Sequence, residues 1–124
     1  MTTWNLEEMK HHVLICNGSS CMRKGGEEVT QSIREEITAN QLDVQVHTTR
    51  TRCNGRCKDA CVVIVYPEGT WYEGVTPELG KQIVQEHLIA KQPIERSISY
   101  VTTTEGMQLK NNRPIGINKD SSSK

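Results

Sequence analysis

Residues 42–75, LDVQVHTTRTRCNGRCKDACVVIVYPEGTWYEGV, decide how this chain is read. From Leu42 to Arg52 polar and apolar residues alternate and β-branched side chains are frequent, the pattern of a strand. The strand delivers the chain to RCNGRCKDAC, Arg52 to Cys61, a loop with three cysteines at intervals of four. From Cys61 the run CVVIVYP is nearly all apolar, PEG turns at Pro67 to Gly69, and TWYEGV returns, so the stretch ends as a β-hairpin.

Upstream, HHVLICNG, His11 to Gly18, is a short apolar strand running into a turn-forming Asn-Gly. Val29, Ile33 and Ile37 then recur every four residues, with Glu27, Glu28, Glu35 and Glu36 mostly on other faces, so an amphipathic helix is expected that ends at Asn40. Downstream, Thr76 is placed to cap a helix with Pro77 in its first turn, and Leu79, Ile83, Val84, His87 and Leu88 form its inner stripe. The order is β, α, β, β, β, α. A helix after the first strand implies a crossover there, so the expected fold is α/β and thioredoxin-like, a mixed sheet of about four strands with two main helices. Residues 1–100 are read as one domain. Residues 101–124 are read as a C-terminal extension in which hydrophobic periodicity fades, with a serine-rich end expected to be mobile.

The 124 residues carry 15 Lys and Arg against 15 Asp and Glu, a formal net charge of zero, so no nucleic acid or acidic membrane partner is expected. No apolar run approaches membrane-spanning length, and MTTWNLEEMKHH lacks the basic-then-apolar pattern of a secretory signal. The expected location is cytoplasmic. In a reducing compartment clustered cysteines serve metal binding or redox chemistry rather than a disulfide framework.

Those cysteines occupy two loops, CNGSSC with Cys16 and Cys21, and CNGRC with Cys53 and Cys57. Each offers two thiolates at a strand end. Tetrahedral sulfur sites suit zinc or iron, and in a [2Fe-2S] cluster each iron takes two protein thiolates besides the bridging sulfides. Gly18, Gly55 and the pair Gly25 and Gly26 would let backbone amides approach sulfur. Zinc knuckles typically use the tighter Cys-x2-Cys, so a structural zinc domain with four cysteine ligands is the weaker alternative. A disulfide oxidoreductase lacks its Cys-x-x-Cys, and His11, His12, His47 and His87 show no Rieske-type Cys-x-His pairing.

With these motifs the chain resembles the thioredoxin-like [2Fe-2S] ferredoxins, which are also similar to the small iron–sulfur subunit of NADH dehydrogenase. CNGSSC and CNGRC look like that subunit's Cys-x4-Cys and the family's Cys-x3-Cys, VVIVYPEGTWYEGVTPE is similar to the family's hairpin and helix start, and EHLIAKQPIER to its closing helix. The resemblance spans His11 to Arg96 and implies Cys16, Cys21, Cys53 and Cys57 as ligands of one [2Fe-2S] cluster. It implies one-electron transfer between a reductase and a client enzyme, with no catalysis of its own, and commonly a homodimer, for which Trp71 is a candidate anchor. Some bacterial relatives look like accessories to biosynthesis, cobalamin synthesis included. The short interval between Cys21 and Cys53 argues for a free-standing ferredoxin rather than a respiratory subunit. A cluster-based redox sensor or assembly accessory is the alternative function. Cys61, which starts an apolar strand, is read as a packed hydrophobe, with an alternative ligand or redox-sensitive thiol as the other options. Arg23, Lys24, Arg50, Arg52, Arg56 and Lys58 gather near the cysteine loops, where they would raise the cluster potential and receive an acidic partner.

Overall fold

A computed structural model describes residues 2–119. The serine-rich end, 120–124, for which mobility is expected, lies outside the described residues. The first strand, β1 (His11–Cys16), alternates buried and half-buried side chains and pairs in parallel with β2 (Val46–Thr51), Cys16 opposite Thr51. On its other side β1 runs antiparallel to β3 (Val63–Tyr66), which forms the expected hairpin with β4 (Thr70–Tyr72). Two further strands, β5 (Ile98–Thr103) and β6 (Gly106–Leu109), complete a six-stranded sheet ordered β2-β1-β3-β4-β5-β6.

The strand number corrects the expectation of about four. β5 is buried only at its start, Ile98 and Ser99, and β6, the edge strand, is exposed along nearly its whole length, so the sequence there carries little hydrophobic periodicity. β2 likewise begins at Val46 rather than Leu42. The preceding helix ends in a Schellman motif, in which Gln41 takes φ +58, the Gln41 amide donates to Thr38 O and the Leu42 amide donates to Ile37 O. Leu42 thereby folds back onto the core, and the chain turns through 43–45 before it extends.

That helix, α2 (Gly26–Ala39), and α3 (Pro77–Gln82) cover one face of the sheet. Arg34 of α2 donates to Thr48 of β2, while Gly80 of α3 lies so close to Ile33 that an added Cβ would sit 3.0 Å from its Cγ1. As the sequence predicts, Thr76 caps α3, its hydroxyl accepting from the Leu79 amide at 3.1 Å. Past Gln82 the helix widens into a π-helical segment, Ile83–Ile89, whose last bond runs from the Ala90 amide to Gln85 O. Ile83, Val84, His87 and Leu88 are buried there, so the inner stripe survives the change of pitch. Val13, Ile15, Val29, Ile33, Val63, Val65 and Ile98 fill the space between the layers. No helix among the described residues is long and apolar enough to cross a membrane.

Because β1 and β2 are parallel, both carry the chain to the same end of the sheet. A short helix unforeseen in the sequence, α1 (Ser19–Arg23), follows β1 there, and the chain after β2 enters the second cysteine loop.

Candidate metal centre

The two cysteine loops meet at that end. The Asn17 amide donates to Thr51 O at 2.8 Å, and Gly18 packs against Cys53 so tightly that a Cβ on Gly18 would lie 2.8 Å from both its Cα and its N. Gly18 has an ordinary φ of −66, so the position needs glycine for the approach of the two loops and not for its torsion. Cys16, Cys21, Cys53 and Cys57 thus line one small cleft, joined only by Gly18, Ser20, Asn54 and Arg56. Cys16 and Cys21 are buried and Cys53 and Cys57 exposed, and all are free thiols.

The donor set is all sulfur. Cys53 Sγ and Cys57 Sγ lie 3.5 Å apart, close to the roughly 3.8 Å of two thiolates sharing one tetrahedral metal with bonds of about 2.3 Å. The two loops each bring a pair of thiols to the cleft, an arrangement that a two-iron centre can fill pair by pair.

Backbone amides favour thiolate charge here, in part as the glycines imply. The Gly55 amide, at φ +81, donates to Cys53 Sγ at 3.3 Å. Burial alone would push the Cys16 thiol up, yet the Gly18 amide, the Cys21 thiol and Asn54 outweigh it and lower its pKa. Burial, with Cys16 beside it, pushes Cys21 up to about 12, as expected when one of two adjacent thiols holds the negative charge. Gly25 and Gly26 act differently. Gly25, at φ +94, opens α2, with its amide donating to Met22 O, and Gly26 packs on the carbonyls of Cys16 and Cys21.

Cys61 is buried behind the cleft, not within it. Its Sγ donates to Cys21 O and Lys24 O, each at 3.3 Å, and burial raises its pKa, so it packs as a small hydrogen-bonding side chain. The histidines lie elsewhere: His11 bonds Glu68 at 3.0 Å and His12 bonds Thr49 at 2.8 Å. His87 Nδ1 meets the Tyr72 hydroxyl at 2.7 Å. That hydroxyl also accepts from the Ile94 amide, and His87 Nε2 lies 3.5 Å from Glu68.

Of the six cations, Arg50 is neutralised by Glu27 through two 2.8 Å bonds and Arg56 by Asp59 at 2.7 Å. Arg23, Lys24, Arg52 and Lys58 stay exposed. Asn54 and Asp59 are site residues that the cysteine spacing does not reveal. Only the i, i+3 interval between Arg56 and Asp59 is visible in the sequence.

The family model for thioredoxin-like [2Fe-2S] ferredoxin matches residues 3–88. A Priestia megaterium protein named putative 2Fe-2S ferredoxin is 58% identical over 106 residues, covering 86% of this chain and 83% of its own. A 2Fe-2S ferredoxin of Clostridium pasteurianum is 33% identical over 95 residues, 70% of this chain and 93% of its own. The solved structure of a thioredoxin-like [2Fe-2S] ferredoxin from Aquifex aeolicus superposes with a TM-score of 0.71 at 33% identity, covering 81% of this chain and 99% of that one. With two converging thiol loops, this sheet order and these likenesses, the chain belongs to the thioredoxin-like [2Fe-2S] ferredoxin family, electron carriers built around a [2Fe-2S] cluster.

Proposed function

We propose that Cys16 and Cys21 hold one iron of the cluster and Cys53 and Cys57 the other, and that the protein passes single electrons between a reductase and a client enzyme without converting a substrate itself. The observation that carries the assignment is the meeting of all four thiols in one cleft free of other side-chain ligands, with Cys61 turned to two carbonyls behind it. When bound, the cluster supplies a one-electron couple. The chain's part is to set its environment. The amides of Gly18 and Gly55 and the side chain of Asn54 stabilise thiolate charge, and buried Cys16 and Cys21 keep one side dry. The exposed Cys53 and Cys57 place the accessible side at the second loop, beside Arg52 and Lys58, so an acidic redox partner docks there.

The proposed setting is cytoplasmic, with the chain as a homodimer. Support for pairing comes from the hairpin, where Tyr66 is 39% exposed and the half-buried Trp71 lies on the same sheet face.

The test is iron, sulfide and visible absorption on anaerobically purified protein and on each cysteine-to-serine variant. Two irons and two sulfides per chain are expected, with thiolate-to-iron bands altered or lost in the Cys16, Cys21, Cys53 and Cys57 variants and kept in Cys61→Ser. Bands unchanged in any of the four, or lost in Cys61→Ser, refute the ligand assignment.

A further inference from the structure

The chain beyond β6 returns to the second cysteine loop. The Lys110 amide donates to Ser99 O at 2.8 Å, and the Asn111 side chain donates to Glu95 O and Ile98 O, both at 2.8 Å, so the segment leaves β6 bound to the start of β5. It then reaches Asp59, two residues past Cys57 and 1% exposed. A carboxylate buried to that degree requires cationic partners. Asp59 has two. Arg56 Nε reaches Oδ2 at 2.7 Å, and Arg113 reaches Oδ1 with Nη2 at 2.9 Å and Nε at 3.1 Å. Arg113 also lies 3.9 Å from Glu73.

Arg56 is held from three directions. Its carboxylate partner is itself locked, its Nη1 donates to Ile115 O at 3.3 Å, and its guanidinium carbon lies 4.9 Å from the Tyr100 ring centroid. It is also the one charged side chain lining the cleft of the four thiols. Asp59 alone would cancel Arg56. Arg113 shares the Asp59 carboxylate and is itself faced by Glu73, so the four charges balance, and Arg56 is the cation of the group that lines the cleft.

We propose that residues 110–116 are a strap that fixes Arg56 against the cluster cleft, with Asp59 and Arg113 as positioning residues that hold the Arg56 guanidinium there and so raise the cluster's reduction potential. Reduction adds one electron to a centre already negative through its thiolates, so a cation held nearby, in partly dry surroundings, favours the reduced form. The strap lies outside the 3–88 region that the family model matches. Its tuning role rests on the ligand assignment for Cys53 and Cys57.

Arg113 is 29% exposed, so Arg113→Gln is compatible with folding. The full-length holoprotein is compared with Arg113→Gln and Arg113→Lys by midpoint potential and by hydrogen exchange of backbone amides. The glutamine variant is expected to keep iron, sulfide and absorption bands, to have a lower potential, and to lose protection at 110–116 and around Asp59. The lysine variant is expected to recover most of the potential by restoring the charge. A potential unchanged in Arg113→Gln overturns the tuning role even if protection is lost, and protection unchanged overturns the strap. The ligand assignment is read separately from Cys53→Ser and Cys57→Ser spectra. If those spectra change while the Arg113→Gln potential does not, the strap proposal alone fails, and if they do not change, both fail.

Discussion

Replacing Gly18 by alanine tests the closest approach in the site. The added methyl would meet three Cys53 atoms, Cα and N at 2.8 Å and Cβ at 2.9 Å, all well inside carbon contact distance. None belongs to a flexible side-chain end, so relief requires the turn after β1 and the loop after β2 to separate, against the 2.8 Å bond from the Asn17 amide to Thr51 O. Overpacking of this kind costs about 1–3 kcal/mol. For a chain of 124 residues, at about 4 °C per kcal/mol, unfolding should move down by roughly 4–12 °C. Thermal unfolding of the metal-free chain reads this directly, since no bound cluster then adds to native stability. Reconstitution provides a second reading, because Cys53 must move relative to Cys16 and Cys21 and cluster incorporation should fall. Gly55→Ala is the control of opposite kind: it sits at φ +81 with nothing within 4 Å of an added Cβ, so it costs about 1–2 kcal/mol of torsional strain without a clash. A Gly18→Ala protein that unfolds within about 1 °C of the parent and takes up cluster normally would refute the claim that this glycine sets the meeting of the two loops.

Three further predictions concern cap, charge and pH. Thr76→Ala removes the side-chain acceptor for the Leu79 amide and should cost about 1 kcal/mol, while Thr76→Ser keeps the bond and should stay close to the parent in the same unfolding assay. Arg52→Gln with Lys58→Gln should slow oxidation of the reduced protein by the ferricyanide anion several-fold at low salt and little at about 1 M salt, and equal rates at low salt would remove the steering role of these exposed cations. The proton affinity of His87 is lowered chiefly by burial, with His11 and Lys91 adding to the effect and Glu68 opposing it. The unfolded chain takes up that proton near the ordinary 6.5 while the folded chain resists, so protons favour unfolding, and stability falls as pH drops below about 6.5. His12, lowered by burial and by His47, acts in the same direction. Glu68 is held low despite burial by its own backbone amide and by His11, so its contribution is lost only in the acid range below about 4.5. The denaturant midpoint should therefore be lower at about pH 5.5 than at about pH 7.5, with a smaller difference in His87→Gln. Equal midpoints at the two pH values would refute this.

Local sequence determined much of this protein. Val29, Ile33 and Ile37 at a spacing of four mark α2, Thr76 followed by Pro77 marks the start of α3, and the apolar run after Cys61 marks the hairpin, because each signal is a matter of neighbouring residues and periods. The four cleft cysteines were legible for the same reason, as two short spacings at strand ends. What local sequence left undecided was long-range. That Cys16 and Cys53 face each other depends on the parallel register of β1 and β2, and Gly18 is needed only because that register brings Cys53 against it. The roles of Gly25 and Gly26, divided between helix entry and packing on carbonyls, likewise follow from where α1 ends. β6 and the outer half of β5 escaped notice because exposed strand needs hydrogen-bonding backbone rather than apolar side chains, and backbone groups are the same in every sequence. Asp59 and Arg113, 54 residues apart, meet only in the folded chain. A buried carboxylate gathers whichever guanidinium the tertiary path brings within reach, and no period or spacing records that path.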